Sequence, residues 1–121
     1  MEALKTLVLG ASLKPNRYSY YAIERLVAHS QPVVAIGLRA GTVAGVQVET
    51  EWLSFEDVDT VTLYLNPRRQ KELYDYIIGL KPRRVIFNPG TENPEFENLL
   101  VSNGILADRA CTLVLLSTNQ Y

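Results

Sequence analysis

Apolar residues fall into short, nearly unbroken runs separated by amphipathic segments, and this alternation recurs along the chain. Thr6-Leu7-Val8-Leu9 is the first run, Val33-Val34-Ala35-Ile36 the second and Val61-Thr62-Leu63-Tyr64-Leu65 the third. Arg84-Val85-Ile86-Phe87 and Ile105-Leu106-Ala107 are the fourth and fifth. Such runs, without polar alternation, predict strands covered on both faces, as in a parallel sheet. The third is rich in β-branched and aromatic residues, which suit a pleated surface.

Between the runs the period lengthens. The spacing predicts a helix at about 19–30, with Ile23, Leu26 and Val27 on one face and Pro32 as its stop. Asn66-Pro67 and Asn93-Pro94 each set a capping side chain before a proline at the first helical position. The first pair opens a helix to about Gly79, with Leu73, Ile77 and Leu80 inward; the second opens one that Gly104 ends. Gly37–Gly45 reads as a loop, Val46-Gln47-Val48 as a short extended segment and Ser54-Phe55-Glu56-Asp57 as one helical turn. The last apolar run, Thr112–Ser117, is either a sixth short strand or a tail docked on the core.

Strands that alternate with helices predict an α/β fold: a doubly wound parallel sheet of about five strands with helices on both faces. Right-handed crossovers follow. The length of 121 residues predicts one domain over 1–121, and no repeat, linker or low-complexity tract divides it. Sheets of this kind bind ligands beyond the carboxyl ends of their strands. The candidate loops are therefore Gly10–Ser19, Gly37–Gly45, Tyr64–Pro67 and Asn88–Asn93.

Charge and composition narrow the partners. A net charge of −1 leaves no electrostatic footprint for nucleic acid. One cysteine, Cys111, excludes an internal disulfide and fits a reducing compartment. Met1-Glu2-Ala3-Leu4-Lys5 does not resemble a secretory leader, and no apolar stretch reaches the roughly 20 residues that span a bilayer. A cytoplasmic protein with neither a membrane nor a nucleic-acid partner is expected.

The first loop, Gly10-Ala11-Ser12-Leu13-Lys14-Pro15-Asn16-Arg17-Tyr18-Ser19, is not the dinucleotide fingerprint G-x-G-x-x-G. Its two serines, its lysine and arginine, and the helix N-terminus behind them are what a phosphate or pyrophosphate needs. A solvated polar loop with a glycine turn is the plain alternative. The second strand ends Ile36-Gly37-Leu38-Arg39, where an NAD site usually has an acid for the ribose hydroxyls. Arg39 would instead attract a ribose phosphate, as in NADP or coenzyme A; a surface arginine is the plain alternative. Tyr64-Leu65-Asn66-Pro67 and Asn88-Pro89-Gly90-Thr91-Glu92 offer walls for an adenine or an arm, or simply turn and cap residues. Tyr18, Tyr20 and Tyr21 shield the ligand, pack, or make a subunit contact.

No catalytic set emerges. His29 stands near a helix end, where its charge suits the dipole. Cys111 has no histidine partner in the sequence pattern, and one His with one Cys cannot build a zinc site. Asp57 and Asp59 read as turn and cap residues, and Asp108-Arg109 as an exposed ion pair. Neither catalytic nor metal-ligating residues are expected.

Over about 4–111 the chain resembles small single-domain CoA-binding proteins, similar to the N-terminal domain of the succinyl-CoA synthetase alpha subunit. The family's opening is an apolar strand, Gly-Ala-Ser, a proline, a basic residue and a serine before the helix. It matches Gly10-Ala11-Ser12, Pro15, Arg17 and Ser19. Gly45-Val46-Gln47-Val48 and Val58-Asp59-Thr60-Val61 match further segments. The usual Val-Asn-Pro plus base becomes Ile36-Gly37-Leu38-Arg39, Phe-Arg becomes Tyr64-Leu65, and Gln-x-Gly becomes Asn88-Pro89-Gly90. The closing Asp-Arg-Cys is one residue longer, Asp108-Arg109-Ala110-Cys111.

The resemblance implies a Rossmann-like domain with CoA phosphates at Gly10, Ala11, Ser12, Arg17, Tyr18 and Ser19. It puts the adenosine end near Ile36, Gly37, Arg39, Tyr64, Leu65 and Asn66, with Asn88, Pro89 and Gly90 completing the site. It implies a module for CoA or acyl-CoA without catalytic machinery, since the synthetases' other domains and phosphorylated histidine are absent from this chain. The alternatives are a minimal NADP-dependent oxidoreductase, with Tyr18 or Tyr64 as proton donor, and a nucleotide-binding subunit of a larger enzyme. A homodimer or a partner enzyme is the macromolecular partner to be expected, and a co-purifying larger chain would favour the subunit reading.

Overall fold

The computed structural model describes residues 4–121; Met1–Ala3, where the leader was judged, lie outside the described residues. The chain runs β1 (Lys5–Ala11), α1 (Tyr18–Ala28), β2 (Val33–Gly37), β3 (Gly41–Val43), β4 (Val46–Glu49) and β5 (Val58–Leu63). It continues as α2 (Pro67–Gln70), a 3-10 turn (Lys71–Leu73), α3 (Tyr74–Leu80), β6 (Arg84–Phe87), α4 (Pro94–Ser102), β7 (Leu106–Arg109) and α5 (Thr112–Ser117).

The strands form one sheet in the order β3-β4-β2-β1-β5-β6-β7. Every pairing is parallel except β3 with β4. Alternate residues of each strand serve opposite cores. Leu7, Leu9, Val61, Leu63, Val85 and Phe87 face Leu73, Ile77, Phe96 and Leu100 on one side. Val8, Ala35 and Val48 face Ile23 and Leu26 of α1 and Leu116 of α5 on the other. Burying each of the Val, Leu, Ile and Phe side chains among them stabilises the fold by about 1.5–3 kcal/mol. Within the first core the rings of Tyr74 and Phe96 stack at 4.2 Å, and Phe87 meets Phe96 edge-on at 5.9 Å.

The α/β class and the parallel core agree with the sequence pattern, and five of the seven strands fall on the five apolar runs. The short extended segment expected at Val46-Gln47-Val48 is β4, while other elements correct the reading. Gly37–Gly45 is not all loop: Gly41–Val43 pairs antiparallel with β4, as a three-residue edge strand of which only Val43 is buried. Thr112–Ser117 is a helix docked by Thr112 and Leu116, so the run is no sixth strand. Ser54–Asp57 forms no helical turn. The helix expected from Asn66 to Gly79 is broken into α2, the 3-10 turn and α3. Val27 is exposed, because it points away from the face that buries Ile23 and Leu26. Asp59 lies within β5, where Arg83 binds it in bidentate fashion at 2.9 and 3.1 Å. Arg109 pairs not with Asp108 but with Glu97 of α4, at 2.8 and 3.0 Å. That hydrogen bond holds the Glu97 carboxyl below the ordinary glutamate range.

Candidate functional site

Three strands, β2, β1 and β5, leave the sheet side by side, and glycines let them do so. β1 runs on through Gly10 to Ala11, with a register shift at Gly10 against β2. Gly10 has φ +90°, and a Cβ there would lie 2.9 Å from the carbonyl carbon and oxygen of Tyr64. A Cβ on Gly37 would lie 2.2 Å from the Ala11 carbonyl oxygen. Contacts that close exclude any side chain, so both positions need glycine.

Beyond Ala11 the chain turns into α1. The Ser12 hydroxyl accepts from the Lys14 N–H at 3.1 Å, and the Arg17 N–H donates to the Lys14 carbonyl at 3.1 Å. Arg17 occupies the N-cap position without capping by its side chain, and the first turn of α1 holds no acid. The N–H groups of Tyr18 and Ser19 make no backbone hydrogen bond among the described residues. The positive end of the helix thus remains free for an anion.

This end opens on a cleft of about 810 Å³ at the carboxyl edge of the sheet. Lys14, Arg17, Arg39 and Arg69 border it, against one carboxylate, Glu72. None of the four is in an ion pair: among the described residues the ion pairs are Arg83–Asp59 and Arg109–Glu97. Unpaired cations around a concavity suit a ligand with several phosphates.

The wall beyond β5 is built by capping and by one buried amide. The Asn66 side chain accepts from the Arg69 N–H at 3.0 Å, which fixes the start of α2 and places Arg69 on the cleft. Gln70, wholly buried, donates through Nε2 to the carbonyls of Leu65 and Thr91, both at 2.8 Å. Its Oε1 accepts from Asn93 Nδ2 at 3.0 Å. This clasp joins the loop after β5 to the loop after β6.

Fourteen of the fifteen residues singled out in the sequence border the cleft. They are Gly10, Ala11 and Ser12; Arg17, Tyr18 and Ser19; Ile36, Gly37 and Arg39; Tyr64, Leu65 and Asn66; and Pro89 and Gly90. Asn88 does not. It is buried, donating through Nδ2 to the Thr62 hydroxyl at 2.6 Å and the Leu63 carbonyl at 2.9 Å. Its Oδ1 accepts from the Thr112 N–H at 2.9 Å, so every polar atom of the side chain serves the fold. Tyr64 borders the cleft, but its side chain packs against the core under α1, and its hydroxyl is buried without a partner. Burial pushes that phenol up to about 12. Tyr18 is 74% exposed, whereas Tyr20 packs against the core under α1.

The sequence pattern did not point to Trp52, Thr50 or Arg69, which also border the cleft, whereas Thr91 lies in a loop it did single out. Arg69 carried a usable signal, standing third in a helix whose cap is Asn66. Trp52 and Thr50 lie in a segment without periodicity.

The sheet order and the helices on both faces define a Rossmann-like α/β domain. The chain belongs to the CoA binding domain family, whose model matches residues 5–117. It is similar over its whole length to the crystal structure of an uncharacterized protein, with 49% identity, full coverage of both chains and a TM-score of 0.95. A Thermus thermophilus protein is 20% identical, with 98% of this chain and 91% of that one covered and a TM-score of 0.86. A dinucleotide-forming acetyl-coenzyme A synthetase of Ca. Korarchaeum cryptofilum, solved with phosphate and ADP, is 17% identical. There 86% of this chain covers 25% of the synthetase, with a TM-score of 0.69, a likeness of fold. No curated protein matches the chain.

Proposed function

We propose that the chain is a one-domain module that binds coenzyme A or an acyl-CoA and has no catalytic machinery of its own. The observation that carries this reading is the set of four unpaired cations, Lys14, Arg17, Arg39 and Arg69, around the free N-terminus of α1. Coenzyme A carries a pyrophosphate and a ribose 3′-phosphate, and so matches both the number of cations and their spread over three strand exits. Lys14, Arg17 and the N–H groups of Tyr18 and Ser19 hold the pyrophosphate. Arg39 holds the ribose phosphate, and the loops at Leu65-Asn66 and Pro89-Gly90 flank the ligand. Family membership over residues 5–117 supports the same ligand.

Arg39 suits the 2′-phosphate of NADP equally well on charge alone. A reductase would also need a proton donor, and the Tyr64 hydroxyl is turned into the core. Thermal-shift measurements with CoA, dephospho-CoA, NADP and NAD separate the readings, because a ligand of the folded state raises its melting temperature. The largest rise is expected with CoA and a smaller one with dephospho-CoA. A larger rise with NADP, or none with any of the four, overturns the proposal.

A further inference from the structure

The connection from β4 to β5 is irregular, yet it is held at several points. The Tyr76 hydroxyl donates to the Leu53 carbonyl at 2.5 Å, and Lys5 Nζ donates to the Glu56 carbonyl at 2.8 Å. Phe55 packs against the core on the α3 side. Immediately before these anchors stands Trp52, the chain's only tryptophan, on the border of the cleft. Tyr76 backs its indole, with centroids 6.0 Å apart and planes tilted by 33°. The residue is still 47% exposed, so an aromatic face held in place on one side is open on the other.

Strand register says what lies beside it. Ile36 of β2 pairs with Glu49 of β4. Arg39 and Trp52 each stand three residues beyond that pair, on the segments that follow neighbouring strands, and both border the cleft. Leu13, Leu38 and Leu65, none of them fully buried, supply apolar surface to the same cleft. A flat aromatic wall, apolar neighbours and an adjacent cation suit a purine whose ribose carries a phosphate, rather than a flexible amide arm.

We propose that Trp52 is the stacking platform for the adenine of the ligand. The inference rests on the CoA reading above and adds a residue that recognises the base rather than the phosphates. A purine stacked on an indole quenches its fluorescence, and this chain has a single indole to report. Adenosine 3′,5′-bisphosphate carries the nucleoside without the arm; 4′-phosphopantetheine carries the arm without the nucleoside.

CoA and adenosine 3′,5′-bisphosphate are expected to quench Trp52 emission, and phosphopantetheine to leave it unchanged. Trp52→Ala is expected to raise the Kd of both adenosine ligands roughly tenfold or more, in the range of base–aromatic stacking, and Trp52→Phe to restore most of the affinity. The melting temperatures of the unliganded variants report that they are folded. Should CoA raise the melting temperature while Trp52 emission stays constant, or should phosphopantetheine alone quench, the platform is overturned and the CoA reading stands. Should no ligand change either signal, both fall.

Discussion

The side-chain amide of Gln70 donates to the Thr91 carbonyl at 2.8 Å, and by that bond the loop after β5 holds the loop after β6. Both loops border the candidate site, so its width depends on a residue that does not itself line it. Gln70→Ala strips the Leu65 and Thr91 carbonyls of their donor and empties a wholly buried volume. It is expected to destabilise the protein by about 2–4 kcal/mol in denaturant unfolding and to weaken CoA binding. Gln70→Met keeps the volume without the amide, and is expected to recover stability only in part. Full recovery would show that packing alone matters there.

Gly10 is the second fixed point. An alanine would be strained at φ +90° and would press on the Tyr64 carbonyl. Gly10→Ala is expected to cost about 1–3 kcal/mol of stability and to lower CoA affinity, because the exits of β1 and β5 must move apart. Equilibrium unfolding and a binding titration check both. Unchanged values for stability and affinity would contradict the close approach.

Tyr64 tests the division between site and core. Its hydroxyl has no partner, while the nearby Thr62 and Thr112 hydroxyls bond to each other at 2.8 Å. Removing an orphaned buried hydroxyl relieves a desolvation cost, so Tyr64→Phe is expected to stabilise by about 1 kcal/mol and leave CoA affinity unchanged. A drop in affinity would return the phenol to the site.

The same residue predicts a pH dependence. Burial raises the phenols of Tyr64 and Tyr76 to about 12, whereas unfolded tyrosine titrates near 10. Above pH 10 the unfolded chain loses protons that the folded chain keeps. The stability these groups contribute is therefore fully present below pH 10 and falls as pH rises towards 12. Tyr64→Phe should flatten this alkaline decline, as chemical denaturation at a series of pH values would show. An unaltered slope would contradict the shift at Tyr64.

Much of the sheet was legible because doubly covered strands show no polar alternation: Val85, Ile86 and Phe87 are all buried. The start of the helix after β5 was legible in Asn66-Pro67. What escaped was decided by tertiary contact. Gln70 sits in Arg68-Arg69-Gln70-Lys71-Glu72, which reads as a solvated surface, and its bonds to the distant Thr91 and Asn93 make it a buried clasp. Asn88 stands at a strand end where a ligand residue was expected, but Thr112 and Leu63 take up its amide. Thr112–Ser117 is six residues long, too short for periodicity to tell helix from strand. Trp52 belongs to a segment whose position is set by Tyr76 and Phe55 rather than by any local pattern.

In the proposed complex the ligand's pyrophosphate sits at the turn between β1 and α1 and its ribose phosphate at Arg39. Calorimetric titration of CoA and dephospho-CoA into the native protein, Arg17→Ala and Arg39→Ala tests it most directly. Arg17→Ala is expected to weaken CoA by about 1.5–3 kcal/mol, roughly ten- to 150-fold in Kd. Native protein should prefer CoA to dephospho-CoA, and Arg39→Ala should abolish that preference. An unchanged CoA Kd in Arg17→Ala, or an equal loss for both ligands in Arg39→Ala, would contradict the account.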